Sequence, residues 1–168
     1  MLQNLSITAK VNLALSALFI LILIISAFSQ SKQETALVLD VLEQQAHEQT
    51  DTYFDSLNTM MLTGTIGQRE MLRQKMQEND NVKDIRVIRS PKTNELYGPG
   101  FPGESVQDDY DRRALQGESI TEVIESELGP TLIVTKPLIA SKNYRGTDCT
   151  GCHNAKEGEI LGAVRLEY

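Results

Sequence analysis

The chain has 168 residues, a formal net charge of -7 and no tryptophan. That length accommodates one domain with flanking segments, and an acidic balance with no basic block excludes nucleic acid and polybasic lipid binding as its business. The carboxylates are scattered as on a solvated surface, with no nucleophile and base set beside one another, so no enzymatic activity is expected.

The first element in chain order is Val11 to Phe28, "VNLALSALFILILIISAF", which carries no charge. As a helix rising about 1.5 Å per residue it nearly spans a hydrocarbon core of about 30 Å. Lys10 is the one charged side chain before it, and Lys32, Glu34, Asp40 and Glu43 follow. Positive charge on the short flank places residues 1–10 in the cytoplasm, makes 11–28 a transmembrane helix and exports the rest. A cleaved signal peptide ending near Ala27-Phe28-Ser29 is the competing reading. It would have a shorter apolar region and a more basic start.

Polar residues then continue at helical spacing, without Pro or Gly, as far as Gly64. Leu39, Leu42, Ala46, Tyr53, Leu57 and Met60 form one apolar stripe, which predicts a long extracytoplasmic helix over 29–66, continuous with the membrane span. "QREMLRQKMQEND" reads as a second helix with Met71, Leu72 and Met76 inward. The period then changes. "VKDIRVIRS" reads as a strand, "PKTNELYGPGFPGE" as a turn-rich loop, and "SVQDDYDRRALQGE" as a short helix closed by Gly117. "ITEVIESEL" and "TLIVTKPLIA" are two strands joined at Gly129-Pro130, and "ILGAVRLEY" is the last. Helices followed by a strand meander describe an α+β domain over 67–168, built on an antiparallel sheet.

Both cysteines lie between the last two strands, in "TDCTGCHNAKEGE". Exported free thiols tend to oxidise, so two idle cysteines are not expected. A thioredoxin-like pair would need a βαβ context. A structural zinc site needs four ligands, and Cys149, Cys152 and His153 supply three. C-x-x-C-H is the attachment signature of c-type haem. Cys149 and Cys152 are spaced to form thioethers with its two vinyl groups, and the adjacent His153 is the proximal iron ligand. One covalent haem c is therefore expected.

The sixth position would go to a protein side chain or to water. Met60 and Met61, at the end of the long helix, are the leading candidates, Met60 slightly favoured because it lies on the main stripe, and His47, which would make a bis-histidine site, is a further alternative. Met61 shares a face with Phe54 and His47 at steps of seven. His47 sits among polar residues and reads as a solvent-facing helix histidine. Tyr144 and Arg145, flanking the motif, are candidates to hold the haem propionates.

"MLQNLSITAKVNLAL" followed by a bilayer span resembles the opening of methyl-accepting chemotaxis proteins. "YRGTDCTGCHNAKEGEILGAVRLEY" resembles the end of their haem-c-containing periplasmic sensor domains, of PAS/Cache type. The resemblance implies a PAS/Cache-like antiparallel sheet with N-terminal helices, anchored in a bacterial inner membrane, and a homodimer that can swap those helices. It also implies a methionine or water as distal ligand, and a redox state or small gas as stimulus. Signalling would pass to downstream components through segments this chain does not contain. The alternative is a membrane-tethered mono-haem cytochrome for electron transfer. In small cytochromes c, however, the motif lies near the N-terminus with methionine downstream, the reverse of the order here.

Overall fold

The computed structural model describes residues 6–126 and 129–168. It falls into two compact units, 1–42 and 43–168. Residues 1–5 of the expected cytoplasmic segment, and Glu127 and Leu128 at the end of an expected strand, lie outside the described residues.

The first unit is helical from Ile7 onward, belonging to α1 (Ile7–Leu62). Its large apolar side chains between Leu13 and Phe28 are all more than half exposed, from Leu23 at 51% to Phe28 at 65%. A helix apolar all round and uncovered by protein is long enough to cross a membrane. A signal sequence near the N-terminus can also pass that threshold of length and apolarity.

The second unit begins within α1 and contains α2 (Arg69–Gln77), β1 (Asp84–Arg89), α3 (Pro91–Tyr97), α4 (Asp109–Leu115), β2 (Ile120–Ser126), β3 (Gly129–Ile139), α5 (Cys149–His153) and β4 (Ile160–Glu167). The fold is α+β, as expected. The four strands form one antiparallel sheet in the order β1-β4-β3-β2. The two edge strands are consecutive in sequence, so the chain crosses the sheet through α3 and α4 before β2. α1 ends where Gly64 adopts φ +70°, a left-handed conformation that suits a residue without Cβ.

Alternation along each strand divides the sheet into two faces. On one, Ile85, Leu132, Val134, Leu138, Val164 and Leu166 pack against Ala46, Tyr53, Phe54 and Leu57 of α1, with half-buried Leu72 and Met76 of α2. On the other, Ile88 and Ala163 meet Ala114 of α4. Beside them is a buried ionic cluster in which fully buried Asp111 accepts from Arg86 at 2.7 Å and from Arg165 at 3.1 Å. Gly162 lets the two strands meet: a Cβ there would lie 2.5 Å from the Ile88 carbonyl oxygen.

Three local expectations are corrected. Residues 91–97, read as loop, form helix α3. Ser90 caps it by accepting from the Thr93 amide, and Pro91 supplies a preset φ at its start. Met71, expected inward, is 56% exposed, because Leu72 and Met76 occupy the inner face of so short a helix. The cysteine motif, expected in open loop, is a single helical turn.

Candidate functional site

The turn α5 sits in the connection from β3 to β4, which the backbone closes at its base. Ala140 N donates to Glu159 O at 2.8 Å, and Gly158 N to Ala140 O at 2.9 Å. Tyr144 and Thr147 exchange both backbone hydrogen bonds at 2.8 Å, making a tight turn before the motif. Asp148 then starts the helix: its carboxylate accepts from the amides of Thr150 and Gly151. The Thr150 hydroxyl also donates to it, and these bonds, the side-chain bond first, hold the Asp148 carboxyl below its usual range. Asn154 ends the turn in the left-handed conformation, φ 45°.

On a helical turn, positions i, i+3 and i+4 lie on one face. Cys149, Cys152 and His153 occupy those positions. Both cysteines are free, Cys149 buried and Cys152 exposed. The His153 Nδ1 is buried with no hydrogen-bond partner among the described residues. Burial, and secondarily the Arg89 guanidinium, push the His153 pKa below that of an ordinary imidazole, favouring the unprotonated ring that can ligate a metal.

Helix α3 supports this turn from one side. The Tyr97 ring meets the His153 ring edge-on, with centroids 5.4 Å apart and planes at 75°. Its hydroxyl donates to the Cys152 carbonyl oxygen. Lys92, on the same helix, donates to both carboxylate oxygens of Glu159 at 2.7 and 2.8 Å, fixing the far end of the connection.

The end of α1 flanks the near end of the connection. Phe54 packs on Tyr144 with centroids 4.7 Å apart. Asp55 accepts from the Tyr144 hydroxyl at 2.8 Å and from Arg145. Asn58 Nδ2 donates to Thr147 Oγ1 at 3.0 Å. Met61 falls seven positions after Phe54 and three after Asn58, so it lies on this same face, one turn further along. It is 37% exposed. Half-buried Met60 is seven positions after Tyr53 and shares that residue's face instead. The geometry therefore brings Met61, more than Met60, to the side of the helix that carries the motif's loop. His47 binds Thr121 Oγ1 through Nε2 at 2.9 Å, about 16 Å along the helix from Asn58. Tyr144 and Arg145 lie beside the motif, with their polar ends engaged by Asp55.

Asn58, Arg89 and Tyr97 were missed in the sequence. Tyr97 had a readable signal, the Ser90-Pro91 helix start, which places an aromatic at the end of a two-turn helix. Asn58 and Arg89 had none, since their partners are set by tertiary packing. Neither a protein-family model nor a curated protein sequence matches this chain.

Proposed function

We propose that this chain is the membrane-anchored, exported sensor module of a signal-transduction receptor of the chemotaxis type, carrying one covalent haem c on α5. The observation that carries the reading is the placing of Cys149, Cys152 and His153 on one face of one helical turn, next to the methionine-bearing end of α1.

The donor set fits that group. Two free thiols stand three positions apart, for two thioether bonds, and the adjacent imidazole has a buried nitrogen with no protein partner. Cys149 and Cys152 would hold the macrocycle and His153 its iron, with Met61, Met60 or water as a candidate further ligand and Tyr144 or Arg145 candidates to bind its carboxylates. When bound, a haem supplies an iron centre that exchanges an electron or takes a small gas at its sixth position. The protein's part is to hold the imidazole neutral and oriented, through burial and the Tyr97 edge. It also offers a thioether from α1. That helix runs unbroken from Ile7 to Leu62, so a methionine engaged or released near its end acts on the element that enters the bilayer. An antiparallel sheet with N-terminal helices on one face supports a PAS/Cache-like domain, and the uncovered apolar helix supports the anchor.

The test is expression of the full chain with haem-c maturation machinery, followed by haem staining after denaturation and spectra of the oxidised, reduced and CO-treated protein. Covalent haem in the membrane fraction, lost when both cysteines become alanine, is expected. Rapid CO binding marks a gas or open-site sensor. A six-coordinate spectrum indifferent to CO marks electron transfer or pure redox sensing. Absence of covalent haem would sink the reading.

A further inference from the structure

Residues 144–147 form a two-residue hairpin between the end of α1 and the α5 turn. Tyr144 and Thr147 exchange both backbone hydrogen bonds at 2.8 Å, and the residues between them, Arg145 and Gly146, both have positive φ, 46° and 92°. A turn of that kind favours glycine, asparagine or aspartate at its centre. Gly146 meets the demand. Arg145 does not, because its Cβ is crowded in the left-handed region. A residue held against its backbone preference points to a task for its side chain.

That task is visible on α1. Asp51, Phe54, Asp55 and Asn58 stand at i, i+3, i+4 and i+7, along one face of the helix, and residues 136–147 engage every one of them. Asp51 pairs with Lys136 and faces Arg145 at 3.9 Å, while Phe54 packs on the Tyr144 ring. Asp55 accepts from the Tyr144 hydroxyl at 2.8 Å and from Arg145, and Asn58 donates to Thr147. On its other side the hairpin runs directly into Asp148, the cap of α5, and the Cys149 amide donates back to the Ser141 carbonyl at 2.8 Å. The hairpin is thus bonded to α1 on one side and to the motif on the other.

We infer that Arg145 is a clasp: its guanidinium grips Asp51 and Asp55 at the expense of a strained backbone, and so couples the turn that carries Cys149, Cys152 and His153 to α1. The clasp is able to open. The Arg145 side chain is 60% exposed, and ion pairs in solvent are worth little, while the left-handed backbone pulls the other way. A joint so nearly balanced is a two-state element that a small displacement of α5 can shift. The clasp is made by the chain's own side chains and stands without haem; that a haem on α5 supplies the displacement rests on the function proposed above.

The experiment is hydrogen exchange, read by mass spectrometry, on the full chain in nanodiscs, prepared first without haem. Arg145→Gly keeps the turn, which glycine makes more easily, and removes the grip. Exchange should quicken by about two- to fivefold, the worth of exposed ion pairs, at residues 51–62 and 149–154 together. Arg145→Lys keeps the charge and should exchange as the parent does. Sodium chloride at about 1 M screens exposed pairs and should quicken the parent more than Arg145→Gly. In the haem-loaded chain, a change in the iron's oxidation state should alter exchange at 51–62 in the parent and leave Arg145→Gly unaltered. Quickening confined to residues 144–147, Arg145→Lys behaving as Arg145→Gly, or salt acting equally on both proteins would overturn the clasp. So would a redox effect that is missing from the loaded parent or that survives in Arg145→Gly. A chain that takes up no covalent haem would sink the proposed function alone, and the haem-free results would still decide the clasp.

Discussion

The side chains of Asn58 and Thr147, 89 positions apart in sequence, meet at 3.0 Å. This contact ties the end of α1 to the turn that leads into Cys149, on the helix face that Met61 shares with Asn58. Met61 is three positions beyond Asn58 and Met60 two, which on a helix puts them on different faces. On the proposed haem c reading, Met61→Ala should leave the haem covalently attached but remove a sixth protein ligand from the reduced spectrum, with faster CO binding. Met60→Ala should change the reduced spectrum little. The reverse pattern would assign the ligand to the Tyr53 face and break the link between Asn58 and ligation.

The sheet's second face is held by Asp111, which is fully buried and accepts from Arg86, Arg165 and the Gln107 amide. Asp111→Ala would leave two nearly buried guanidinium groups short of a counter-charge. Breaking a buried pair from one side costs roughly 3–5 kcal/mol, so the melting temperature should fall by on the order of 10 °C or more. Circular dichroism melts of the detergent-solubilised chain measure it. Asp111→Asn should cost less, since it keeps an acceptor oxygen. Equal stability of all three proteins would show the cluster to be ornamental.

The elements that the sequence announced are those with long periods or plain punctuation: α1 as far as Gly64, α4 closed by Gly117, and the three strands of the C-terminal half. Helix α3 was missed because its composition, with Pro91, Asn94 and nearby glycines, is that of a turn. What makes it a helix is local, the Ser90 cap and the preset φ of Pro91. The motif residues Cys149, Cys152 and His153 could be singled out in the sequence because C-x-x-C-H is a spacing that a haem c attachment would need, and the structure places them on one helical turn. Their supports were not, because Asn58–Thr147 and Tyr97–His153 join segments whose proximity only the folded sheet creates.

Lys92 and Glu159 give a pH-dependent tie between α3 and the end of the motif's connection. The hydrogen bond to Lys92, followed by that from the Lys156 amide, holds the Glu159 carboxyl below the ordinary glutamate value of 4.5. A carboxyl depressed on folding favours the folded state fully above that ordinary value, and the contribution is lost as pH falls through the depressed one. Carboxyl-carbon NMR titration should therefore show Glu159 ionised throughout the neutral range and titrating below 4.5. Lys92→Gln should bring it back toward the ordinary value. An unchanged titration in that variant would mean that the pairing is not formed in solution.

Tyr97 makes two separable contacts with the motif, a ring edge on His153 and a hydroxyl that donates to the Cys152 carbonyl. Tyr97→Phe removes the second and keeps the first, at a cost of about 0.5–1.5 kcal/mol for one hydrogen bond. If the α5 turn opens locally, as peripheral segments do, amide exchange at residues 149–154 should quicken by about two- to tenfold. The ring-current displacement of the His153 proton resonances should persist. Tyr97→Ala removes both contacts, so exchange should quicken further and the His153 resonances should move toward those of a free imidazole. Such a sequence of effects would identify Tyr97 as the residue that positions His153. A displacement that survives in the alanine variant would transfer that role to the packing of the β3–β4 connection itself.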